Sequence, residues 1–206
     1  MATHSTFEEH PLQPFLPPKA RVLFLGSFPP PKEKWSMEFF YPNYINDFWR
    51  VWGLLCFNDK AHFERGKAFD REAIEAFATA RGMAFFDTAR KVCRLRGNAS
   101  DAFLQIVEPT DVEALLTQLP DCHTLVTTGG KASEELQHIL STAGGNAIGL
   151  SAGGNAMELP AVGACCELTV WGREMQWYRM PSTSRAFPLP LEKKAAYYRM
   201  LMPRLR

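Results

Sequence analysis

The sequence predicts an α/β protein, a three-layer sandwich with helices covering a small, mostly parallel sheet. Three observations predict it. Short, near-continuous apolar runs such as Val22-Leu23-Phe24-Leu25-Gly26 have the composition of strands buried on both faces. Segments with apolar residues three and four positions apart alternate with these runs, as helices do when they carry a chain across a parallel sheet. The chain has 206 residues, 46% of them hydrophobic, enough for one sizeable core without disulfides or metal. The expectation is one domain over residues 1–206 with an extended N-terminal segment over 1–18, since no repeat or long linker divides it.

The elements follow in order. Residues 21–27 form the first strand. Residues 47–57 place Phe48, Trp49, Trp52, Leu55 and Cys56 at helical spacing, with Asn46 as N-cap. Residues 69–81 form a second helix with Ala73, Ile74, Phe77 and Ala80 inward, ended by Gly82. Residues 83–86 are a buried strand closed by Asp87-Thr88. Residues 101–107 and 111–118 read as short helices separated by Glu108-Pro109. Residues 123–127 are a third strand, which Gly129-Gly130-Lys131 turns into a helix over 132–140. Residues 143–154, rich in Gly, Ser and Asn, read as a flexible connection or turn cluster. Residues 168–180 alternate around Gly172 as a final strand or hairpin and lead into Pro181-Ser182-Thr183-Ser184. Residues 191–202 close the chain as a helix with Leu191, Ala195, Tyr198 and Met202 in one row.

Composition narrows the function classes. No apolar run reaches the ~18 residues of a transmembrane helix. Residues 1–10 lack the basic and apolar regions of a signal peptide, so a soluble cytoplasmic protein is expected. Cys56, Cys93, Cys122, Cys165 and Cys166 have no CxxC spacing, which argues for reduced thiols and no metal site. On a strand, Cys165 and Cys166 point to opposite faces. Net charge is +1, yet residues 171–206 carry eight Lys/Arg against Glu174 and Glu192. Arg90, Lys91, Arg94 and Arg96 add a second basic cluster. Such patches suit a polyanion or a solvated surface balanced by acidic helices.

The chemistry-bearing residues gather at expected strand exits. Gly26-Ser27-Phe28 leaves the first strand, and Ser36 to Trp49 follows with Phe40, Tyr41, Asn43, Asn46 and Asp47. Ligands of open α/β sheets bind at the carboxyl ends of the strands. Aromatic rings there stack on a flat ligand while amides read its edge and hold a water. Asp87, at the end of another strand, suits binding a base edge or orienting water, and equally a turn cap. Ser182, Thr183, Ser184 and Arg185 offer hydroxyls and a cation to phosphates, or a helix-initiating turn. Gly129-Gly130-Lys131 lacks the upstream glycine of a phosphate loop, because position 125 is Leu. Ser27 has no GxSxG surround, and His4, His10, His62, His123 and His138 are scattered.

In this order the segments LGSFPP, FYPNYINDFW, GMAFFDTARKVCR, VTTGGKASEEL and WYRMPSTSRA resemble the uracil-DNA glycosylase superfamily, closest to its hypoxanthine-DNA (deoxyinosine) glycosylase branch. The likeness runs over residues 21–186. It implies a four-stranded parallel sheet between helices and catalysis without metal; no lysine lies at an evident nucleophilic position, so a monofunctional enzyme is expected, without cofactor and monomeric. Its partner would be DNA carrying a damaged or mismatched base. Asn46 falls where the branch has its proposed catalytic asparagine. Two extra residues separate it from the branch's order, however, so Asn43 is the alternative. Tyr41 or Phe40 would stack on the extruded base, in a pocket with Gly26, Ser27, Phe28 and Asp87. Ser182, Thr183, Ser184 and Arg185 would meet the target strand. The branch typically has His where this chain has Tyr41, and a catalytically inactive DNA-binding member of the fold is the alternative function.

Overall fold

The computed structural model describes residues 7–95, 103–144, 146–148 and 157–206. Its centre is a six-stranded sheet in the order β5-β2-β8-β11-β10-β9. The strands are β2 (Val22–Gly26), β5 (Met83–Asp87), β8 (Thr124–Thr128), β9 (Asn146–Ile148), β10 (Cys165–Val170) and β11 (Arg173–Met180). The first four positions in that order are mutually parallel, and β10 and β9 extend the sheet antiparallel. The expected four parallel strands are therefore present, with two more at one edge. All five residues of β2 and of β5 are buried, as strands covered on both faces must be.

The covering helices are α1 (Phe48–Phe57), α2 (Arg71–Arg81), α3 (Val112–Thr117), α4 (Gly130–Thr142) and α5 (Leu191–Tyr198), the last continued by a 3-10 turn over Arg199–Arg204. Helix α2 begins two residues later than expected, because Asp70 caps it by accepting from Ala73 N. Phe69 instead belongs to β4 (Ala68–Phe69), paired with β3 (Glu64–Arg65). Gly82, at φ 68°, ends α2 in the left-handed conformation that costs glycine least.

Two expectations fail. The stretch read as a helix over 101–107 is β7 (Leu104–Pro109) from Leu104 onward, Asp101 and Ala102 lying outside the described residues. It pairs antiparallel with β6 (Ala89–Arg94), which pairs in turn with β1 (Phe7–Glu9). Leu104 is buried in a small apolar cluster with Ala89 and Val92, and Ile106 packs against it. That period-two contact overrides a helical reading. Within 143–154, residues 146–148 are strand β9 rather than connection, and residues 145 and 149–154 lie outside the described residues.

The core is aromatic around Phe85. Phe24 stacks on it at 5.3 Å, Phe40 at 5.8 Å, and Phe48 and Trp49 meet it edge-on. Each such pair contributes ~0.5–1.5 kcal/mol beyond its buried area. These rings bind α1 and the segment before it to the carboxyl ends of β2 and β5, so the Asn43–Asn46 stretch is held at the sheet edge. Cys165 is exposed and Cys166 buried, the expected alternation. No helix among the described residues is long and apolar enough to cross a membrane.

Candidate active site

A cleft of about 770 Å³ opens at the carboxyl ends of β2, β5, β8 and β11. The structure brings every predicted site residue to it: Gly26, Ser27 and Phe28 after β2, and Phe40, Tyr41, Asn43 and Asn46 before α1. Asp87 arrives from the end of β5, and Ser182, Thr183, Ser184 and Arg185 from beyond β11.

Tyr41 forms one wall. Its backbone sits at φ 53°, a left-handed conformation that strains a side-chain-bearing residue. That turn lays its ring on Phe48 at 3.7 Å and 5°. Its hydroxyl bonds Thr128 Oγ1 at 2.8 Å. Burial holds this hydroxyl protonated well above the usual tyrosine range; the Thr128 hydrogen bond opposes the shift and the Asp87 charge adds to it. Phe40 is only 4% exposed, packed between Phe85 and His10. As a whole residue Tyr41 is half-buried, whereas Phe40 is buried.

Both asparagines are fixed by local backbone. Asn43 Oδ1 accepts from Ile45 N at 3.1 Å, and Asn46 Oδ1 accepts from Phe48 N at 2.8 Å just ahead of α1, whose N-cap is Asp47 rather than the expected Asn46. An amide oxygen has two lone pairs, so each keeps one for water. Arg50, buried, donates to the carbonyls of Tyr44 and Asn46 and pairs with Glu64 at 2.7 Å, which fixes this segment from beneath.

Asp87 is paired with a residue that sequence reasoning missed. His10 Nε2 lies 2.9 Å from Asp87 Oδ2, with the His10 side chain 2% exposed. The ring packs on Phe86 at 4.4 Å and on the edge of Phe28 at 5.3 Å. The other carboxylate oxygen presses against Gly26, where any Cβ would collide with it. Gly26 is therefore required by close approach. His10 lies 77 residues from Asp87 in a segment without a motif, so no local signal pointed to it.

The Ser182–Arg185 turn holds itself by short-range bonds. Ser182 Oγ accepts from Ser184 N, and Ser184 Oγ accepts from Ala186 N, both at 3.2 Å. Each hydroxyl proton stays available to an anion. Thr183 is 2% exposed, and its carbonyl accepts from Asp47 N at 3.0 Å. Lys194, 1% exposed, donates to Asp47 Oδ2 at 2.9 Å and to Ser184 O at 3.0 Å. Although Lys194 belongs to the basic C-terminal stretch of the sequence, it is a buried tie between α5, the serine turn and Asp47.

Other cations of the two basic clusters are committed as well. Arg173 donates to the carbonyls of Leu116 and Leu119 at the end of α3, and Arg179 to Pro160. Arg94 pairs with Glu8 and donates to Pro29. Arg185 remains 57% exposed at the cleft rim, and Arg96 lies outside the described residues.

No protein-family model and no curated protein matches this sequence. Among solved structures, it is similar to the solution NMR structure of a "putative uracil DNA glycosylase" from Methanosarcina acetivorans. The two share 17% identity and a TM-score of 0.62, over 97% of this chain and 99% of that one. The chain has a uracil-DNA glycosylase-like α/β fold.

Proposed function

We propose that the protein is a DNA repair glycosylase that turns a deaminated base, uracil or hypoxanthine, out of the helix into this cleft. It then hydrolyses the N-glycosidic bond and leaves an abasic site. One observation carries the reading: an oriented asparagine pair, an aromatic wall and a serine turn with the exposed Arg185 converge on one cleft at the strands' carboxyl edge. The solved neighbour's description agrees with it. The protein acts as a monomer on DNA, in the cytoplasm.

Breaking the bond builds positive charge on the sugar and negative charge on the departing base. Asn46, its oxygen held by Phe48 N, orients a water toward the sugar; Asn43 is the alternative. Orientation is what an amide can supply, since it does not titrate usefully. Backbone amides around Gly26 to Phe28 face the departing base's charge, as donors in an oxyanion hole do. Extrusion costs a few kcal/mol, least for a mispaired base. Stacking against Tyr41 returns roughly 1–3 kcal/mol.

A second reading, a DNA-binding member of the fold without turnover, is favoured by the hydrogen bond from Phe48 N that already engages Asn46 Oδ1. Cleavage of labelled oligonucleotides bearing uracil, hypoxanthine, xanthine or normal bases, single-stranded and paired, separates the two. Asn46→Ala is expected to lose on the order of 10²-fold in excision, the scale of a misplaced reactant, while keeping DNA binding. Losing the bond to Phe48 N costs Asn46→Ala ~1 kcal/mol of stability, which Asn46→Ser restores without restoring excision. The same pattern at Asn43→Ala instead would move the water to that residue. Abasic product should break only on alkali treatment; breakage without alkali would indicate a lysine adduct at Lys34 or Lys131 in the cleft. A folded wild type that excises none of these bases would sink the enzyme and leave the binder.

A further inference from the structure

We propose that a second, smaller cavity beside the cleft seats a backbone phosphate of the strand whose base enters the cleft; this rests on the glycosylase reading. The cavity measures about 390 Å³ and shares Arg185 and Phe187 with the larger cleft as a common wall. A strand delivering a base over that wall lays its neighbouring sugar-phosphate on the other side.

Charge and surface there suit such a guest. Arg50, Lys60, Arg185 and Lys194 line the cavity, against Asp47 and the exposed Glu192. Two of the cations are already used, Arg50 by Glu64 at 2.7 Å and Lys194 by Asp47 at 2.9 Å. Lys60 is exposed, and among the described residues its side chain has no hydrogen bond or ion pair. Arg185 is 57% exposed and reaches Asp47 only at 3.5 Å. It can therefore move to a phosphate at little cost, because Asp47 keeps Lys194 and no buried carboxylate is stranded. The floor, residues 187–191, is Phe, Pro, Leu, Pro and Leu, an apolar surface for the face of a deoxyribose. The combination of mobile cations over an apolar floor suits a phosphodiester.

The test is binding of wild type, Lys60→Ala and Lys19→Ala to an abasic-site duplex between 50 and 200 mM salt. Lys19 is exposed just ahead of β2, at the opposite edge of the sheet, and controls for loss of one positive charge. A lost phosphate contact makes the log–log salt slope shallower by about 0.9. Over this range wild type should then lose about 3-fold more affinity than Lys60→Ala. Lys19→Ala should follow wild type in both salt slope and excision. A Lys60→Ala slope equal to that of wild type, in a protein that still excises, overturns this site alone. A wild type that binds no DNA overturns the site and the glycosylase reading together.

Discussion

Replacing Lys194 with methionine tests what holds the two loops of the cleft together. Lys194 Nζ is buried against Asp47 Oδ2 at 2.9 Å, Ser184 O at 3.0 Å and Thr183 O at 3.4 Å. Methionine fills similar volume without charge. The two carbonyls keep backbone donors, Phe187 N at 3.1 Å and Asp47 N at 3.0 Å, so the main cost is the stranded carboxylate. Breaking a buried pair from one side costs roughly 3–5 kcal/mol. The Asp47 side chain is 10% exposed and retains Arg185 at 3.5 Å, which places the loss at the lower end. We expect about 3 kcal/mol by urea denaturation, and a Tm lower by roughly 6–12 °C for a chain of this size. The double variant Asp47→Asn/Lys194→Met strands no charge and should recover to within about 1.5 kcal/mol of wild type. Its excision should stay impaired, because α5 loses its bonds to the carbonyls of Thr183 and Ser184. A single variant within about 0.5 kcal/mol of wild type, the scale of an ordinary surface substitution, would refute the reasoning. So would a double variant as unstable as the single.

Two further outcomes follow from the packing. In Gly26→Ala the new Cβ collides with Asp87 Oδ1, and the carboxylate cannot retreat without leaving His10. Overpacking of this kind costs about 1–3 kcal/mol, and excision should fall with it; a variant as stable and active as wild type would show that Asp87 moves freely. Two residues before β8, burial pushes the Cys122 thiol from 9.0 up to about 11. The folded value lies above the unfolded one, so this stabilising contribution is complete below pH 9.0 and is lost as pH rises through about 11. Between pH 8 and above pH 11 the unfolding free energy from urea melts should fall by ~2–3 kcal/mol more in wild type than in Cys122→Ala, and equal falls would exclude the thiol as the source.

Much of the fold was legible because β2, β5 and β8 are apolar runs with little polar interruption, and parallel strands covered on both faces must be so. The failures lie where one local pattern suits two structures. Leu104 and Val107 are three apart, as in a helix, while Leu104 and Ile106 are two apart, as in a strand. Pairing with β6, a non-local event, decides between them. Strand β6 was itself hidden by Arg90, Lys91 and Arg94, whose charges are met by Glu108, Glu9 and Glu8 from its two neighbours. Edge sheets facing solvent carry no apolar run to announce them.

The site divides along the same line. Its chemistry-bearing residues sit in short segments that each leave one strand end, so their order along the chain was enough to bring them together. The residues that hold them come from elsewhere. His10 reaches Asp87 from the N-terminal segment, and no local pattern could have paired them. Lys194 is different, because a signal was present. Leu191, Lys194, Ala195 and Tyr198 are spaced as one helical face, so the lysine occupied an inward position of a row otherwise apolar. An inward lysine must find acceptors, and those available in the fold were Asp47 and the serine turn. A methionine would fill the space from many registers of α5. The lysine is satisfied only when α5, the Ser182–Arg185 turn and the residue after Asn46 meet at one point, and that meeting gives the cleft its shape.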